Sequence, residues 1–480
     1  MNTDDCMVLL RDLWFRYRGG SWILRGVNLC VRRGESILVV GGTGSGKTTL
    51  ARVLNGVAKW VYGGEFKGYA VVDGLRVDET EPWLLAKRIH VVGQNPYMYF
   101  IDPLVRQDLE AYAYSLYGSR ELACRAVRKA VESMNISGLL DKYFFELSGG
   151  QARRALVAKS MIAGPEVIVF DEPLMWLDDN GVNEFLKLVE SLRFMGKTLI
   201  FMEHRFIQLL TIVDRVLILR NGVLVDETME AHMLKHRAKS SLSRTVNIDG
   251  AHTVERSDPV VLKAEDIWFN TNGVELLKGV HLVAREGDYT YIYGGNGSGK
   301  TTLLRILAGY LKPVKGKVWR RGAAIYVPQN IHLFYTEESV AREIENMCKA
   351  VGDRAACLEK GKRVLEELGI DPLLPPFNLS HGQMVKLAVS LAGLRDDVDL
   401  VLLDEPFSGL TYTDRVELAE SLARLGKTIL IAVSSRDMLG YPAGSRTYRL
   451  ENGVLQEYNQ GASPATMYAD IAGKLLGGRE

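Results

Sequence analysis

The chain has 480 residues, 47% of them hydrophobic and 24% charged, a composition that excludes a disordered or fibrous protein. Lys and Arg number 59 and Asp and Glu number 58, for a formal net charge of +1, which argues against a protein built mainly to coat nucleic acid. No run of about 18 apolar residues occurs and the N-terminus lacks a signal-peptide core. We therefore expect any membrane-spanning partner to be a separate chain.

The five cysteines are not spaced like the ligands of a metal or cluster. No two are separated by the two or three residues typical of zinc or iron–sulfur sites. We expect reduced thiols, as in a cytosolic protein. The cysteines are Cys6, Cys30, Cys124, Cys348 and Cys357.

Most motifs occur twice, in the same order. GGTGSGKTTL begins at Gly41 and GGNGSGKTTL at Gly294, and Asp-Glu-Pro begins at Asp171 and again at Asp404. Repeats this far apart indicate a duplicated domain rather than a solenoid. The first copy carries extra residues soon after its glycine-rich loop, so we expect a shortened β-subdomain in the second copy.

The repeat predicts a first domain at 1–235 and a second at 260–480. Residues 236–259 have no counterpart, are polar and lack an apolar period, so they form the predicted linker. In each copy a short apolar run precedes the glycine-rich loop, helical spacing follows it, and further apolar runs recur. This alternation predicts an α/β fold with a mostly parallel sheet flanked by helices in each domain.

Each glycine-rich loop satisfies the P-loop pattern G-x-x-x-x-G-K-[ST]. Its glycines let backbone N–H groups turn toward a phosphate chain, and the following helix N-terminus favours anions. We predict that Lys47 and Lys300 reach the terminal phosphates and that Thr48 and Thr301 hold Mg²⁺. The predicted nucleotide-binding residues are Gly41, Gly42, Thr43, Gly44, Ser45, Gly46, Lys47, Thr48 and Thr49 in the first loop and Gly294, Gly295, Asn296, Gly297, Ser298, Gly299, Lys300, Thr301 and Thr302 in the second.

Each copy then supplies an apolar strand that ends in Asp-Glu-Pro. An Asp at the carboxyl end of a strand can hold Mg²⁺ through water, and the next Glu can orient or deprotonate an attacking water. We therefore predict metal binding by Asp171 and Asp404, and catalytic roles for Glu172 and Glu405.

The sequence LSGGQ, at 147–151, makes the chain resemble the ATP-binding cassette (ABC) ATPases over nearly all of both halves. The resemblance implies P-loop domains that each add a small antiparallel β-subdomain and a helical signature subdomain. It also implies two ATP molecules with Mg²⁺, bound head-to-tail so that the signature of one half closes over the phosphates held by the other. The signature residues that it assigns to ATP binding are Ser148, Gly149, Gly150 and Gln151 in the first half and Ser380, His381, Gly382 and Gln383 in the second.

Other roles follow from the same resemblance. Gln94 and Gln329 resemble the Q-loop glutamines, which contact Mg²⁺ or the attacking water. Tyr17 resembles the aromatic residue that stacks on adenine, and Asp178 belongs to the D-loop and contacts ATP. His204 resembles the switch histidine that contacts the γ-phosphate, which implies a catalytic role.

The second half departs from the family pattern. His381 replaces a signature glycine, and Thr411 replaces the D-loop aspartate. The switch histidine is also missing there, and a transition-state donor of that kind is worth roughly 10²–10³ in rate. We therefore expect the site that contains His204 to hydrolyse ATP faster, and the other site to retain ATP longer.

Two of the departures leave the equivalent residue open. Ser434 or Ser435 stands where the switch histidine is expected. Thr271 stands where the adenine-stacking aromatic is expected, and a one-residue gap in the alignment leaves Trp268 or Phe269 as substitutes.

The stretch 61–77 and the residues after Gln94 are most similar to the ATP-binding subunits of energy-coupling-factor and cobalt-type transporters. This similarity implies a peripheral protein at the cytoplasmic face of the cell membrane that powers import of a small nutrient, a vitamin or metal ion. Its partners would be a transmembrane coupling protein and a substrate-binding membrane subunit, and no nucleic acid is expected. The alternative is a soluble tandem cassette ATPase that acts on ribosomes or nucleic acid.

The segment after Gln94 is rich in aromatic side chains. In the resembled family this region lies against the membrane partner, but such residues equally suit the core of a helical subdomain, and both interpretations stay open. The aromatic residues are Tyr97, Tyr99, Phe100, Tyr112, Tyr114 and Tyr117.

Overall fold

The structure, a computed structural model, describes residues 5–42, 44–94, 96–175, 177–204, 206–229, 258–271 and 273–458. The chain divides into two compact units, each holding one copy of the repeat. Residues 236–257 of the predicted linker and Thr43 of the first P-loop lie outside the described residues.

The first unit alternates strands and helices. Its strands are β1 (Cys6–Arg16), β2 (Leu24–Arg32), β3 (Ser36–Val40), β4 (Glu65–Val72), β5 (Leu75–Arg76), β6 (Ile89–Val92), β7 (Val167–Asp171), β8 (Thr198–Glu203), β9 (Arg215–Arg220) and β10 (Val223–Asp226). Its helices are α1 (Lys47–Leu54), α2 (Val57–Trp60), α3 (Pro82–Leu85), α4 (Val105–Tyr117), α5 (Arg120–Met134), α6 (Gly149–Ala163) and α7 (Asp179–Phe194).

These strands form two sheets. The six-stranded sheet has the order β10-β9-β3-β8-β7-β6, and only the β9–β10 pair is antiparallel. The four-stranded sheet, β2-β1-β4-β5, is antiparallel throughout. Strands β3 and β7 are buried along their whole length, which is why SILVV and VIVFD read as continuous apolar runs rather than alternating ones.

The second unit repeats this plan. Its strands are β11 (Val260–Thr271), β12 (Val274–Arg285), β13 (Tyr289–Tyr293), β14 (Lys315–Arg320), β15 (Ala323–Val327), β16 (Val398–Asp404), β17 (Thr428–Val433), β18 (Arg446–Glu451) and β19 (Val454–Glu457). Its helices are α8 (Lys300–Ala308), α9 (Val340–Cys348), α10 (Arg354–Leu368), α11 (His381–Gly393) and α12 (Tyr412–Arg424). The six-stranded sheet runs β15-β16-β17-β13-β18-β19, and the antiparallel sheet runs β12-β11-β14.

The helix after each P-loop packs between the two sheets of its unit. Leu50 and Leu54 of α1 belong to the same apolar core as the strands of both sheets, and Leu303 and Leu307 of α8 do the same in the second unit. Burying this face of the helix fixes its N-terminus beside the end of the preceding strand. The predicted fold class, two P-loop domains with mostly parallel sheets flanked by helices, is confirmed.

The predicted shortening of the second β-subdomain is also confirmed. The first unit holds β5 and α3 between β4 and β6, whereas the second passes from β14 directly to β15. The antiparallel sheet consequently has three strands instead of four. Across the described ranges, no helix is long and apolar enough to cross a membrane.

Four of the cysteines do not follow the expectation of reduced thiols. Cys6 is disulfide-bonded to Cys30 across β1 and β2, and Cys348 to Cys357 between α9 and α10. Cys124 is free and exposed. The expectation was wrong because it considered spacing along the sequence, whereas strand pairing and helix packing bring distant cysteines together.

Candidate nucleotide sites

The first P-loop is a tight backbone turn around its own lysine. Lys47 Nζ donates to the carbonyl oxygens of Gly41 at 2.7 Å and Gly42 at 3.0 Å. Gly46, with φ of 105°, precedes α1 in the left-handed region, where a side chain would be strained. A Cβ on Gly41 would lie 2.5 Å from Ser45 Oγ, so the loop closes only around glycine.

The second P-loop has the same geometry. Lys300 Nζ donates to the carbonyl oxygens of Gly294 at 2.8 Å and Gly295 at 3.0 Å. Gly299 adopts φ of 102° before α8, matching the first loop. Both lysines are therefore positioned among backbone groups that can surround a phosphate chain.

Buried polar atoms without partners mark both sites as suited to a phosphate and a metal ion. Ser45 Oγ and Asp171 Oδ1 in the first unit, and Ser298 Oγ and Asp404 Oδ1 in the second, are buried with no hydrogen-bond partner. Native structures rarely leave such atoms unsatisfied without a ligand or water. These residues fit a Mg²⁺–nucleotide complex, in which the metal would neutralise phosphate charge while Asp171, Asp404 and the P-loop threonines hold it.

The aspartates that end β7 and β16 carry raised pKa values. Burial raises the pKa of Asp171 to about 6, the charge of Glu172 adds to the effect, and the Thr48 hydroxyl and Lys47 oppose it. Burial likewise raises the pKa of Asp404, against hydrogen bonds from Thr301 and Tyr326. A bound cation would favour the ionised form of each carboxylate.

The predicted catalytic glutamate of the first unit faces the predicted switch histidine. Glu172 adopts φ of 50°, its amide donates to Met202 O at 2.8 Å, and its Oε1 lies 3.5 Å from His204 Nδ1. Burial acts to raise the pKa of Glu172, but the hydrogen bond and charge of His204, with Lys47, hold it below its ordinary value. Glu172 and His204, far apart in sequence, are therefore neighbours.

The glutamate of the second unit has different partners. Glu405 also adopts a positive φ, 51°, and its amide donates to Ala432 O at 3.0 Å. This register makes Ser434, rather than Ser435, the equivalent of His204. Burial raises the pKa of Glu405, and Lys300 and hydrogen bonds from Ser434 only partly oppose that effect.

The two Q-loop glutamines lie at the same sheet edge as these carboxylates. Gln94 follows β6 and Gln329 follows β15, strands that pair in parallel with β7 and β16. Gln94 is half-buried, and its carbonyl oxygen accepts a 3.5 Å hydrogen bond from Arg153. Gln329 is exposed.

Each signature serine begins a helix. Ser148 Oγ accepts from Gln151 N at 3.2 Å, and Gln151 Oε1 accepts from Ser148 N at 3.1 Å. Ser380 and Gln383 form the same capping box in front of α11. Gly149 and Gly150 thus lie in the first turn of α6, as His381 and Gly382 do in α11.

His381 takes a specific contact where the first signature has glycine. Its Nε2 lies 3.0 Å from the carbonyl oxygen of Ser408, which ties the start of α11 to the loop before α12. Burial lowers the pKa of His381, and the Ser408 carbonyl opposes that effect.

The D-loop residues act as helix caps in both units. Asp178 accepts from Gly181 N at 2.8 Å at the start of α7, and Thr411 accepts from Asp414 N at 3.2 Å at the start of α12. Aspartate and threonine both serve as N-caps, so the replacement preserves this local structure.

The predicted adenine-stacking residue differs between the units. Tyr17 is half-buried next to the P-loop helix, where Arg52 donates to its hydroxyl at 3.3 Å. Phe269 in β11 is the equivalent of Phe15 in β1. Phe269 pairs with Leu277 of β12, as Phe15 pairs with Leu24 of β2, and the two leucines are equivalent in the repeat. The one-residue gap therefore falls between Phe269 and Leu277, and in register with Phe269, Thr271 is the equivalent of Tyr17. Trp268 and Phe269 are not substitutes.

Three residues near these sites were missed by sequence reasoning. Tyr326 donates to Asp404 Oδ2 at 3.1 Å, and burial together with that charge raises the pKa of Tyr326 to about 12. Glu203 and Arg153 are buried in the first unit. A comparison of the two copies could have found these residues, because a valine stands at each equivalent position of the other copy. The valines are Val91 for Tyr326, Val433 for Glu203 and Val385 for Arg153.

The family comparison decides the wider assignment. The family model for the ABC transporter matches residues 24–175 and 277–408, more than half of the chain, including both P-loops and both Asp-Glu-Pro motifs. This chain belongs to the ABC transporter family. Membership in the ABC transporter family implies ATP binding and hydrolysis, which agrees with the two phosphate loops and their facing carboxylates.

Relatives match along nearly the whole chain. A protein of Sulfurisphaera tokodaii named as an ABC transporter ATP-binding protein is 30% identical, covering 92% of this chain and 96% of its own. One of Treponema denticola with the same name is 29% identical, covering 88% and 91%. Among solved structures, RNase-L inhibitor matches with a TM-score of 0.63 and 20% identity, covering 96% of this chain and 93% of its own. That likeness shows the ABC fold alone.

Proposed function

We propose that this chain is the Mg²⁺-dependent ATP-hydrolysing subunit of an ABC importer. It works at the cytoplasmic face of the cell membrane and powers uptake of a small nutrient, a vitamin or metal ion, through separate membrane subunits of the energy-coupling-factor or cobalt type. The supporting sequence feature is the similarity of residues 61–77, and of the segment after Gln94, to the ATP-binding subunits of these transporters. The observation that carries the proposal is an apolar surface present in both units.

In the first unit this surface adjoins the Q-loop. Met98 is 78% exposed, Ile101 84% and Phe145 66%, and we name these three the first docking surface. The two segments that carry these residues meet through aromatic rings, since the ring of Phe144 stacks on that of Phe100 with 5.5 Å between the ring centroids. Exposed apolar side chains gathered in this way are typical of a protein contact.

The second unit presents an equivalent surface, built from different residues. Leu333, Leu373 and Phe377 are exposed, and the ring of Phe377 stacks on His332 at 5.7 Å. As in the first unit, a turn after the Q-loop meets a turn before the signature helix. Two similar surfaces suit a chain that binds membrane subunits through both of its cassettes.

The aromatic residues after Gln94 serve two purposes. Tyr97 donates to Leu147 O at 2.9 Å, and Phe100 is half-buried against Phe144, so these two belong to the helical subdomain. Tyr99, Tyr114 and Tyr117 are exposed. A test of partner binding should therefore change the exposed residues and leave Tyr97 and Phe100 intact.

Each residue of the first site has a proposed role. Lys47 neutralises the terminal phosphates, while Thr48 and Asp171 hold Mg²⁺. Glu172 accepts a proton from the attacking water, and His204 donates a hydrogen bond to the transferring phosphoryl group. The proposal also retains the expectation from the resemblance that each site needs the signature of the other half.

Fractionation of the native cells tests the proposal. The full chain and a Phe194→Ser control, whose ring is 94% exposed on α7, should sediment with membranes and co-purify with polytopic membrane proteins. The triple variant Met98→Ser, Ile101→Ser, Phe145→Ser should leave the membrane fraction while still binding ATP. Recovery of the unmodified chain with ribosomes instead would contradict the proposal and favour the alternative, a soluble tandem ATPase.

A further inference from the structure

Glu203 is a buried carboxylate directly before the predicted switch histidine. It ends β8 and is 0% exposed. Removing a charged group from water is costly unless hydrogen bonds or opposite charges compensate. The contacts of Glu203 therefore indicate what its charge holds in place.

Glu203 joins two loops of the first site. Its Oε1 accepts from the backbone amide of His204 at 2.8 Å, and its Oε2 accepts from the amide of Leu174 at 3.0 Å. Leu174 directly follows the Asp-Glu-Pro motif that carries Asp171 and Glu172. One carboxylate thus fixes the switch position against the turn that carries the catalytic glutamate.

The same carboxylate faces the imidazole ring. His204 Nδ1 lies 3.4 Å from Glu203 Oε1 and 3.5 Å from Glu172 Oε1. A nitrogen lone pair would be repelled by two carboxylate oxygens, so this arrangement favours a proton on Nδ1. The other ring nitrogen, Nε2, is buried without a hydrogen-bond partner and is the atom left for a ligand.

A buried cation accompanies this carboxylate. Arg153, on α6 after the signature, is 2% exposed, and its Nη2 donates to Gln94 O at 3.5 Å. Burial lowers the pKa of Arg153 to about 10, and the charge of Glu203 opposes that effect. Arg153 is therefore a buried opposite charge that interacts with Glu203 and also contacts the Q-loop backbone.

The second unit lacks the entire group. Val433 stands at the place of Glu203, Ser434 at the place of His204, and Val385 at the place of Arg153. The buried charges are thus present in the copy that has the histidine and absent from the copy without it. A purely architectural role for Glu203 would not require that association.

We propose that Glu203 is a positioning residue for His204, which fixes the ring against Glu172 with Nδ1 toward the two carboxylates and Nε2 toward the nucleotide. From there Nε2 donates to a phosphate oxygen when both ring nitrogens carry protons. The kinetic part of this proposal, an effect of Glu203 on turnover, rests on the proposed ATP hydrolysis. The structural part, the position and protonation of the His204 ring, does not depend on hydrolysis.

A double-mutant cycle in the full chain tests the kinetic part. Glu203→Gln should lower kcat about 10-fold to 100-fold, as loss of an orienting outer partner does elsewhere, with little change in KM for ATP. His204→Ala should lower kcat at least as much, and adding Glu203→Gln to it should change kcat less than twofold, because the residue it positions is gone. Independent, multiplying losses would overturn the proposal.

Nitrogen NMR of ¹⁵N-histidine-labelled protein tests the structural part without hydrolysis. The signal that His204→Ala removes should report a protonated Nδ1 in the unmodified chain and a redistributed proton in Glu203→Gln. Asp108→Asn is the matched control, since Asp108 is also a buried carboxylate, bonded to Lys159 at 2.9 Å, and should not alter that signal. An unchanged His204 signal in Glu203→Gln would overturn the inference, whereas an inactive unmodified chain would count against the proposed function.

A second variant covers the case in which Glu203→Gln does not fold. Glu203→Val with His204→Ser reproduces the pair found in the second unit, and we expect it to fold. Restoring His204 in that background gives Glu203→Val alone, which should recover less than one-tenth of normal kcat. Full recovery would show that His204 acts without Glu203 and would overturn the proposal.

Discussion

The ammonium of Lys300 lies 3.6 Å from the carboxylate of Glu405. In the first unit the equivalent carboxylate, Glu172, is faced instead by the His204 ring. The pKa of Glu172 is lowered mainly by His204 against the effect of burial, whereas burial raises the pKa of Glu405. Glu172 therefore stays ionised down to a lower pH than Glu405, which keeps it available to accept a proton from water.

Each P-loop lysine should account for one nucleotide. Lys47→Ala removes the cation that faces the phosphates in the first unit, and Lys300→Ala removes its counterpart. Isothermal titration should give two ATP per unmodified chain, one per single variant and none for the double variant. A stoichiometry of one in the unmodified chain, under conditions that saturate both sites, would contradict the two-site account.

The buried charge of Asp171 should reduce stability at high pH. Its pKa is raised from 3.8 to about 6, so between pH 4 and pH 6 the folded chain binds this proton more tightly than the unfolded chain. Stability from this group is therefore present at low pH and lost as pH rises through about 6. Without nucleotide or Mg²⁺, Asp171→Asn should raise the free energy of unfolding by up to about 3 kcal/mol at pH 8.

Chemical denaturation at two pH values checks the sign. The difference between Asp171→Asn and the unmodified chain should be larger at pH 8 than at pH 5. A larger difference at pH 5 would show that the carboxylate is stabilised in the folded, ligand-free protein.

Tyr326 should influence the metal site of the second unit alone. Tyr326→Phe removes the hydrogen bond to Asp404 Oδ2, and a hydrogen bond to a charged group is worth about 1.5–3 kcal/mol. In a Lys47→Ala background, we expect the Mg²⁺ concentration that supports half-maximal ATP binding to rise about tenfold. Tyr310→Phe is the control, because the Tyr310 ring packs 5.8 Å from Tyr326 and lies mostly in solvent. Equal effects of both variants would contradict this role.

The sequence predicted the parts of the fold and site that depend on local order. P-loops, Asp-Glu-Pro strands and the shortened second subdomain follow from motifs and their spacing. The helices that follow the loops were likewise implied by helical spacing. These features are determined by residues close together in the chain.

Features that depend on distant contacts were not predictable in the same way. Glu203 and Tyr326 acquire their significance from hydrogen bonds to other strands and loops, and only the valines in the opposite copies signalled them. Strand register was needed to identify Thr271 as the equivalent of Tyr17. The disulfide between Cys6 and Cys30 likewise depends on the pairing of β1 with β2.

The central claim, that two unequal ATP sites work in one chain, is tested most directly by steady-state ATP turnover of two isosteric variants. Glu172→Gln removes the carboxylate that His204 faces, and Glu405→Gln removes the one that Lys300 faces; each should keep its fold and bind two ATP. The account predicts that Glu172→Gln abolishes nearly all turnover, whereas Glu405→Gln leaves a substantial fraction. Equal losses would mean that the sites are obligately coupled rather than unequal, and the reverse order would contradict the account by making the altered signature at His381 the decisive defect.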